Sequence, residues 1–171
     1  MKPKTIEDLY VQEMKDLYDG EKQILKALPK MAKASTSEQL RAAFEQHLEQ
    51  TRKQVERLEQ IFEKRNQKPT GKKCVGMQGI IEEGSELMGE VDPSPLLDAG
   101  LIAAAQRVEH YEMAGYGTVC AFAQQLGDNQ ALKLLRQTLD EEKATDEKLT
   151  HLAESMVNQE AVQAGTSSQQ G

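Results

Sequence analysis

Between positions 132 and 156 one stripe of side chains recurs at steps of 3, 4, 3, 4, 3, 4 and 3: Leu132, Leu135, Leu139, Glu142, Asp146, Leu149, Ala153 and Met156. This spacing keeps a single face of a helix turned toward a core. Two of its consecutive positions are acids. A carboxylate buried without a partner costs several kcal/mol or gives up its charge. The segment therefore demands a helical fold with something at its centre that compensates acid.

Three other segments carry the same period. The first helix presents Tyr10, Met14, Leu17, Ile24, Leu28 and Met31, entered through an N-cap at Thr5 with Asp8 three residues on. Ser35, Thr36 and Ser37 break the pattern and cap a second helix with Leu40, Phe44, Leu58 and Phe62 on its stripe. Residues 66–79 read as loop, with Pro69, Gly71 and Gly76 as breakers, and 77–90 as a short extra helix. Ser94 and Pro95 supply an N-cap and a first helical position for a third long helix over about 96–126. Gly127, Asp128 and Asn129 turn the chain into a fourth, ending near Val157. The order is hairpin, long connection, hairpin. It predicts an all-α chain: an antiparallel four-helix bundle with one long crossover and a short extra helix, over residues 1–157. Residues 158–171, rich in Gln, Ser and Gly, read as a disordered tail.

Each stripe is interrupted at one height. Glu21 fills the gap between Leu17 and Ile24; His47, Thr51 and Gln54 separate Phe44 from Leu58; Glu109 and Glu112 share a face with Ala105, Tyr116, Val119 and Ala123. Glu21 lies fifteen residues before the first apex at Thr36 and Thr51 fifteen after it. Glu112 lies sixteen before the second apex at Asp128, and Glu142 and Asp146 fourteen and eighteen after. At about 1.5 Å per residue these offsets differ by a few ångströms, so the polar groups form one layer. With no Lys or Arg expected on the stripes, the compensating charge is assigned to divalent metal. Glu21, His47, Glu109, Glu112, Glu142 and Asp146 are the candidate ligands, and carboxylate with imidazole suits iron or manganese. Gln50, Thr51, Gln54 and Tyr116 are expected around them, Tyr116 as a core tyrosine donating to a carboxylate. His110 and His151 point away from the stripes by helical phase.

The chain has a formal charge of −7 and no basic tail, which argues against nucleic acid and anionic membranes as partners. No apolar run approaches a membrane span, and nothing resembles a signal peptide. Two distant cysteines, Cys74 and Cys120, read as reduced thiols of a cytoplasmic protein.

The segments Ala27-Leu-Pro-Lys-Met31, His47-Leu-Glu-Gln-Thr51, Lys73-Cys-Val-Gly-Met77, Val108-Glu-His-Tyr-Glu112 and Leu139-Asp-Glu-Glu-Lys143 resemble, in order over about residues 5–160, the YciE/YciF family of ferritin-like bacterial stress proteins. The resemblance implies a ferritin-like bundle, a homodimer and a stress-associated role of undefined biochemical activity. Ferritin-like di-metal sites take one Glu from each of two helices and a Glu-x-x-His from each of the other two. Here Glu21 matches one lone Glu, and Glu109 or Glu112 the other. His47 is followed by Gln50, where the family often has Glu, and Glu142 is paired with Asp146 instead of a histidine. One or two iron or manganese ions are expected. The function expected first is metal-based handling of oxygen or peroxide; the alternative is a non-enzymatic dimeric stress protein with a degenerate site. A storage cage or DNA-protecting role suits so acidic a chain least.

Overall fold

The structure is a computed structural model that describes residues 2–168. Among these there is no strand. The helices are α1 (Ile6–Ala34), α2 (Glu38–Lys64), α3 (Val75–Glu90), α4 (Pro95–Gln125), α5 (Asn129–Leu152) and α6 (Asn158–Ser168), with a π turn, Ala153–Val157, joining the last two.

The helix ends follow the cap chemistry of the sequence. Thr5 and Asp8 form a reciprocal capping box at α1. Ser37 caps α2, and Ser94 caps α4 with Pro95 in the first turn. Gly127, at φ 72°, makes the left-handed turn that Asp128 follows as cap of α5. The link between α1 and α2 is locked by Asp98 of α4, whose carboxylate accepts from the Thr36 and Ser37 amides at 2.8 Å and from the Thr36 hydroxyl at 2.6 Å.

α1 packs on α2, α2 on α5, α5 on α4 and α4 on α1, closing a ring. α3 lies across α1 and α4. It starts earlier than the glycines suggest: Cys74 is its N-cap, and Gly76 and Gly79 lie inside it. Gly76 is there for space, since a Cβ would sit 2.5 Å from the Tyr111 ring. The chain after 157 also departs from expectation, continuing as a helix against α4 through Ser168. The π turn moves the stripe there, so Val157 is buried and Met156 only partly. Residues 169–171 of the expected tail lie outside the described residues.

The core comes in two apolar blocks. One holds Ile24, Leu28, Phe44, Leu97, Leu101 and Leu149; the other holds Tyr10, Met14, Leu58, Phe62, Tyr116 and Leu135. On all four long helices the break between blocks falls at the polar interruption: Glu21 on α1, His47 to Gln54 on α2, Glu109 and Glu112 on α4, Glu142 on α5.

Candidate metal centre

Helical phase brings the interruptions together. One ligand atom from each of His47, Glu109, Glu112 and Glu142 lies within 4.8 Å of the other three. All four residues are at most 3% exposed. His47 Nε2 is 3.0 Å from Glu109 Oε1 and 3.9 Å from Glu142 Oε2. Glu21, fully buried, adjoins the group through Tyr116, whose hydroxyl donates to Glu21 Oε1 at 2.5 Å.

The layer is short of partners. Glu21 Oε2, His47 Nε2, Glu109 Oε2 and both carboxylate oxygens of Glu112 and Glu142 are buried without a hydrogen bond. Native interiors satisfy nearly all such atoms, so this concentration is what a group able to hold a cation, or to share protons among its acids, presents. Burial, reinforced by the charge of Glu142, pushes Glu21 up to about 8. Burial does the same to Glu109, to about 8. Glu112 and Glu142 are held well above the carboxylate range by burial and by the neighbouring acids. Without a cation these acids take up protons near neutrality; a divalent cation would displace them. One imidazole nitrogen among buried carboxylate oxygens is a donor set that iron or manganese accepts.

His47 is oriented from behind. The Thr145 hydroxyl donates to the Glu141 carbonyl at 3.0 Å, so its oxygen is left to accept from His47 Nδ1 across a long 3.5 Å contact. That tautomer leaves Nε2 bare on the side of the acids. Thr51, also buried, donates to the His47 carbonyl and braces the helix turn. A pocket of about 110 Å³ between α2, α4 and α5 reaches His47 and Glu109, with Gln46, Gln50, Thr145 and Lys148 on its wall.

Two expectations need correction. Asp146 is not in the group: its side chain is 18% exposed, bonded to Gln106 at 3.2 Å and facing His110 at 3.2 Å. Four residues past Glu142 the helix has turned beyond the core line, and Thr145 takes the inward edge. Gln50, half-buried, lies on the pocket wall with His47 and Glu109, beside the layer. The stripes do contain a cation. Arg57, three residues after Gln54, is buried and pairs with Glu141 through two 2.7 Å bonds, with Thr138 at 3.0 Å. Gln54 donates to the same Glu141 at 3.1 Å. The i, i+3 relation of Arg57 to Gln54 was the available signal for this pair. His110 and His151 are exposed as expected, and both cysteines are free.

Sequence reasoning also passed over the other face of α1. There Tyr111 and the Cys74 thiol both bond Asp16, at 2.7 and 2.9 Å, and the Cys74 amide donates to Asp19 at 2.8 Å. Burial raises the thiol to about 11, so it is a packing group that pins the start of α3.

Fold and site together define an all-helical protein with a buried histidine–glutamate group of metal-ligating type. The chain belongs to the family described as a domain of unknown function, DUF892, whose model matches residues 5–162. It is 50% identical over 162 residues to Protein YciF of Escherichia coli strain K12, covering 94% of this chain and 98% of that protein. The crystal structure of the E. coli stress protein YciF matches with a TM-score of 0.87 over 91% of this chain and 99% of that one. YcfI of Rhodopseudomonas palustris is 46% identical, with a TM-score of 0.83 over 86% of this chain and 94% of that one. A Xanthomonas campestris protein, 21% identical, shares the fold at a TM-score of 0.77 over 95% and 99% of the two chains. The resemblance to the YciE/YciF family is thereby borne out.

Proposed function

We propose that this stress-protein homologue is a ferritin-like four-helix bundle that holds one or two iron or manganese ions on Glu21, His47, Glu109, Glu112 and Glu142, and that the site acts on oxygen or hydrogen peroxide. The observation that carries the reading is the set of unpartnered buried oxygens and the bare imidazole nitrogen facing one another across three helices, with Glu21 of α1 beside them. The ring of α1, α2, α5 and α4 around that layer supports the bundle with a single crossover.

When bound, a reduced metal would supply the electrons that oxygen or peroxide accepts. The chain's own residues prepare the place. Tyr116 holds one oxygen of Glu21 and leaves the other free. Thr145 sets the His47 tautomer. The apolar blocks above and below exclude water, which strengthens every charge interaction within the layer. The small pocket at His47 and Glu109 is the route for a diatomic or peroxide-sized molecule.

A homodimer belongs to this reading, as the family resemblance implies, and exposed Val75 and Leu96 are apolar side chains that a partner would cover. Two unpaired thiols support a reducing, cytoplasmic setting. No helix among the described residues is long and apolar enough to cross a membrane.

A second reading has its own observation: acids raised to about 8 can share protons instead of a metal, which would make the layer a neutral network in a non-enzymatic stress protein. Metal analysis of protein from iron- or manganese-supplemented cells separates the two. One or two ions per chain, lost in Glu112→Gln and Glu142→Gln, supports the metal centre. Metal no higher in wild type than in the variants leaves the proton network.

A further inference from the structure

Glu109 has two neighbourhoods. One side meets the small pocket described above. The other forms the end of a separate groove between α1, α3 and α4, enclosing about 210 Å³. Its walls are apolar: Ile24, Leu28 and Met31 from α1, Ile80 and Met88 from α3, Val108 from α4. Gly84 lies on the α3 wall, and a Cβ there would touch the Ala104 Cβ at 3.4 Å, so the two helices pass closely beneath the groove.

The groove has a direction. α3 starts near Gly20, which lies against Cys74 and Met77, and its far end reaches Gly100, which lies against Leu87. Ile80 and Glu109 therefore mark one end, and Met31, Lys30 and Met88 the other. From Gln23 to Met31 the α1 wall advances by eight residue steps, about 12 Å at ~1.5 Å each. Lys26 and Lys30 lie on the rim, exposed, and among the described residues neither has a hydrogen bond or an ion pair. Two unpaired cations beside a narrow apolar trough, on a chain of charge −7, complement an anion with an apolar tail. The inner end is closed by Glu109, 1% exposed, with Oε2 unpartnered.

We propose that this groove binds a medium-chain carboxylate, its head at Lys30, its chain along Leu28 and Ile81, and its last carbons against Glu109. The occupant is a slim single chain, because the space is small beside the ~300–1,000 Å³ of typical ligand sites. Its far end would lie against a residue of the metal-ligating group, on the side opposite the small pocket. The binding itself does not depend on metal.

Decanoate, below its micellar concentration, is the probe. Isothermal titration is run on the full chain in chelator, so a failure of metal loading cannot disturb the result. Saturable binding of one decanoate per chain is expected. Lys30→Glu, at an exposed position that leaves the fold intact, weakens it at least about fivefold, and Lys30→Arg restores it. Ala27→Phe fills the groove from its wall and abolishes binding. Decanol, lacking the charge, binds more weakly to wild type than decanoate and is indifferent to Lys30→Glu. Absence of saturable decanoate binding overturns the proposal, and so does binding that survives both Ala27→Phe and Lys30→Glu. Loss in Ala27→Phe with no effect of Lys30→Glu overturns it as well, because the carboxylate head would then be elsewhere.

Discussion

Glu141 and Glu142 are adjacent on α5, and their environments drive them in opposite directions. Both feel burial, which raises a carboxylate. At Glu141 the Arg57 guanidinium outweighs it, with help from Gln54, and the acid is held below its ordinary value. At Glu142 the nearest charges are other acids, and it is pushed well above. One residue of helix turn separates a closed ion pair from an open cluster. Both carboxylate oxygens of Glu141 and both terminal nitrogens of Arg57 are bonded within the protein, and the pair ties α2 to α5. Both oxygens of Glu142 are without a bond. The charge of Glu141 is closed within the chain; in the proposed metal reading, that of Glu142 is kept for a ligand. Among the described residues the buried Arg57 is spent on Glu141, so no Lys or Arg offsets the cluster.

The largest effect that sharpens this comparison is on the closed pair. Arg57→Leu leaves Glu141 half-buried with Gln54 alone and should destabilise the fold by about 3 kcal/mol, the low end for a broken buried pair because Glu141 keeps some solvent. Urea unfolding measures it. A loss well under 1 kcal/mol would mean the pair is dispensable and the contrast with Glu142 is empty.

Glu142→Leu should do the reverse in chelator. It adds apolar burial worth at most about 1.5–3 kcal/mol and removes a carboxylate with no partner, so the metal-free protein melts higher while metal uptake disappears. A lower melting temperature would show that Glu142 is satisfied as it stands.

The third effect is on pH. Glu21 and Glu109, raised from 4.5 to about 8, bind protons more tightly in the native chain than in the unfolded one. Their contribution to metal-free stability is fully present below about pH 4.5 and is lost as pH rises through about 8. Metal affinity runs the other way, rising over the same window as protons leave. Denaturation in chelator at pH 5, 7 and 9, beside metal titrations with a pH indicator, gives both curves. Metal binding without proton release at neutral pH would contradict the raised values.

The smallest effect is expected at Gln50→Glu. Gln50 sits half-buried on the pocket wall with His47 and Glu109, so an added carboxylate should strengthen divalent binding modestly and lower metal-free stability slightly. Anaerobic titration with ferrous iron and thermal unfolding in chelator report the two. Unchanged affinity would place Gln50 outside the reach of any bound ion.

Much of this was legible before any coordinates. Thr5, Ser37, Ser94 and Asp128 cap the four long helices because a side-chain oxygen before an apolar period satisfies orphan amides wherever it occurs. The gaps at Glu21, His47, Glu109, Glu112 and Glu142 could be found by counting, since a 3–4 period fixes which residues share a face. Counting was weakest at the edge of that face. Asp146 and Thr145 differ by one residue and both lie near the core line, and only the packing of α5 against α2 and α4 decided that Thr145 meets His47 while Asp146 meets Gln106 and His110. Gly76 looked like a helix breaker because conformational cost is local; its use, admitting the Tyr111 ring, involves a helix more than thirty residues away.

The sequence alone determined the four long helices, their apolar stripes and the height of the polar layer, because each follows from side chains within a few turns of one another. The tertiary structure decided which polar groups found partners. Arg57 met Glu141, Tyr116 met Glu21, and Cys74 met Asp16, while Glu112 and Glu142 met His47 and other acids without a hydrogen bond. Those pairings depend on the lateral approach of helices, to within an ångström or two, which a hydrogen bond requires and a periodic pattern cannot specify.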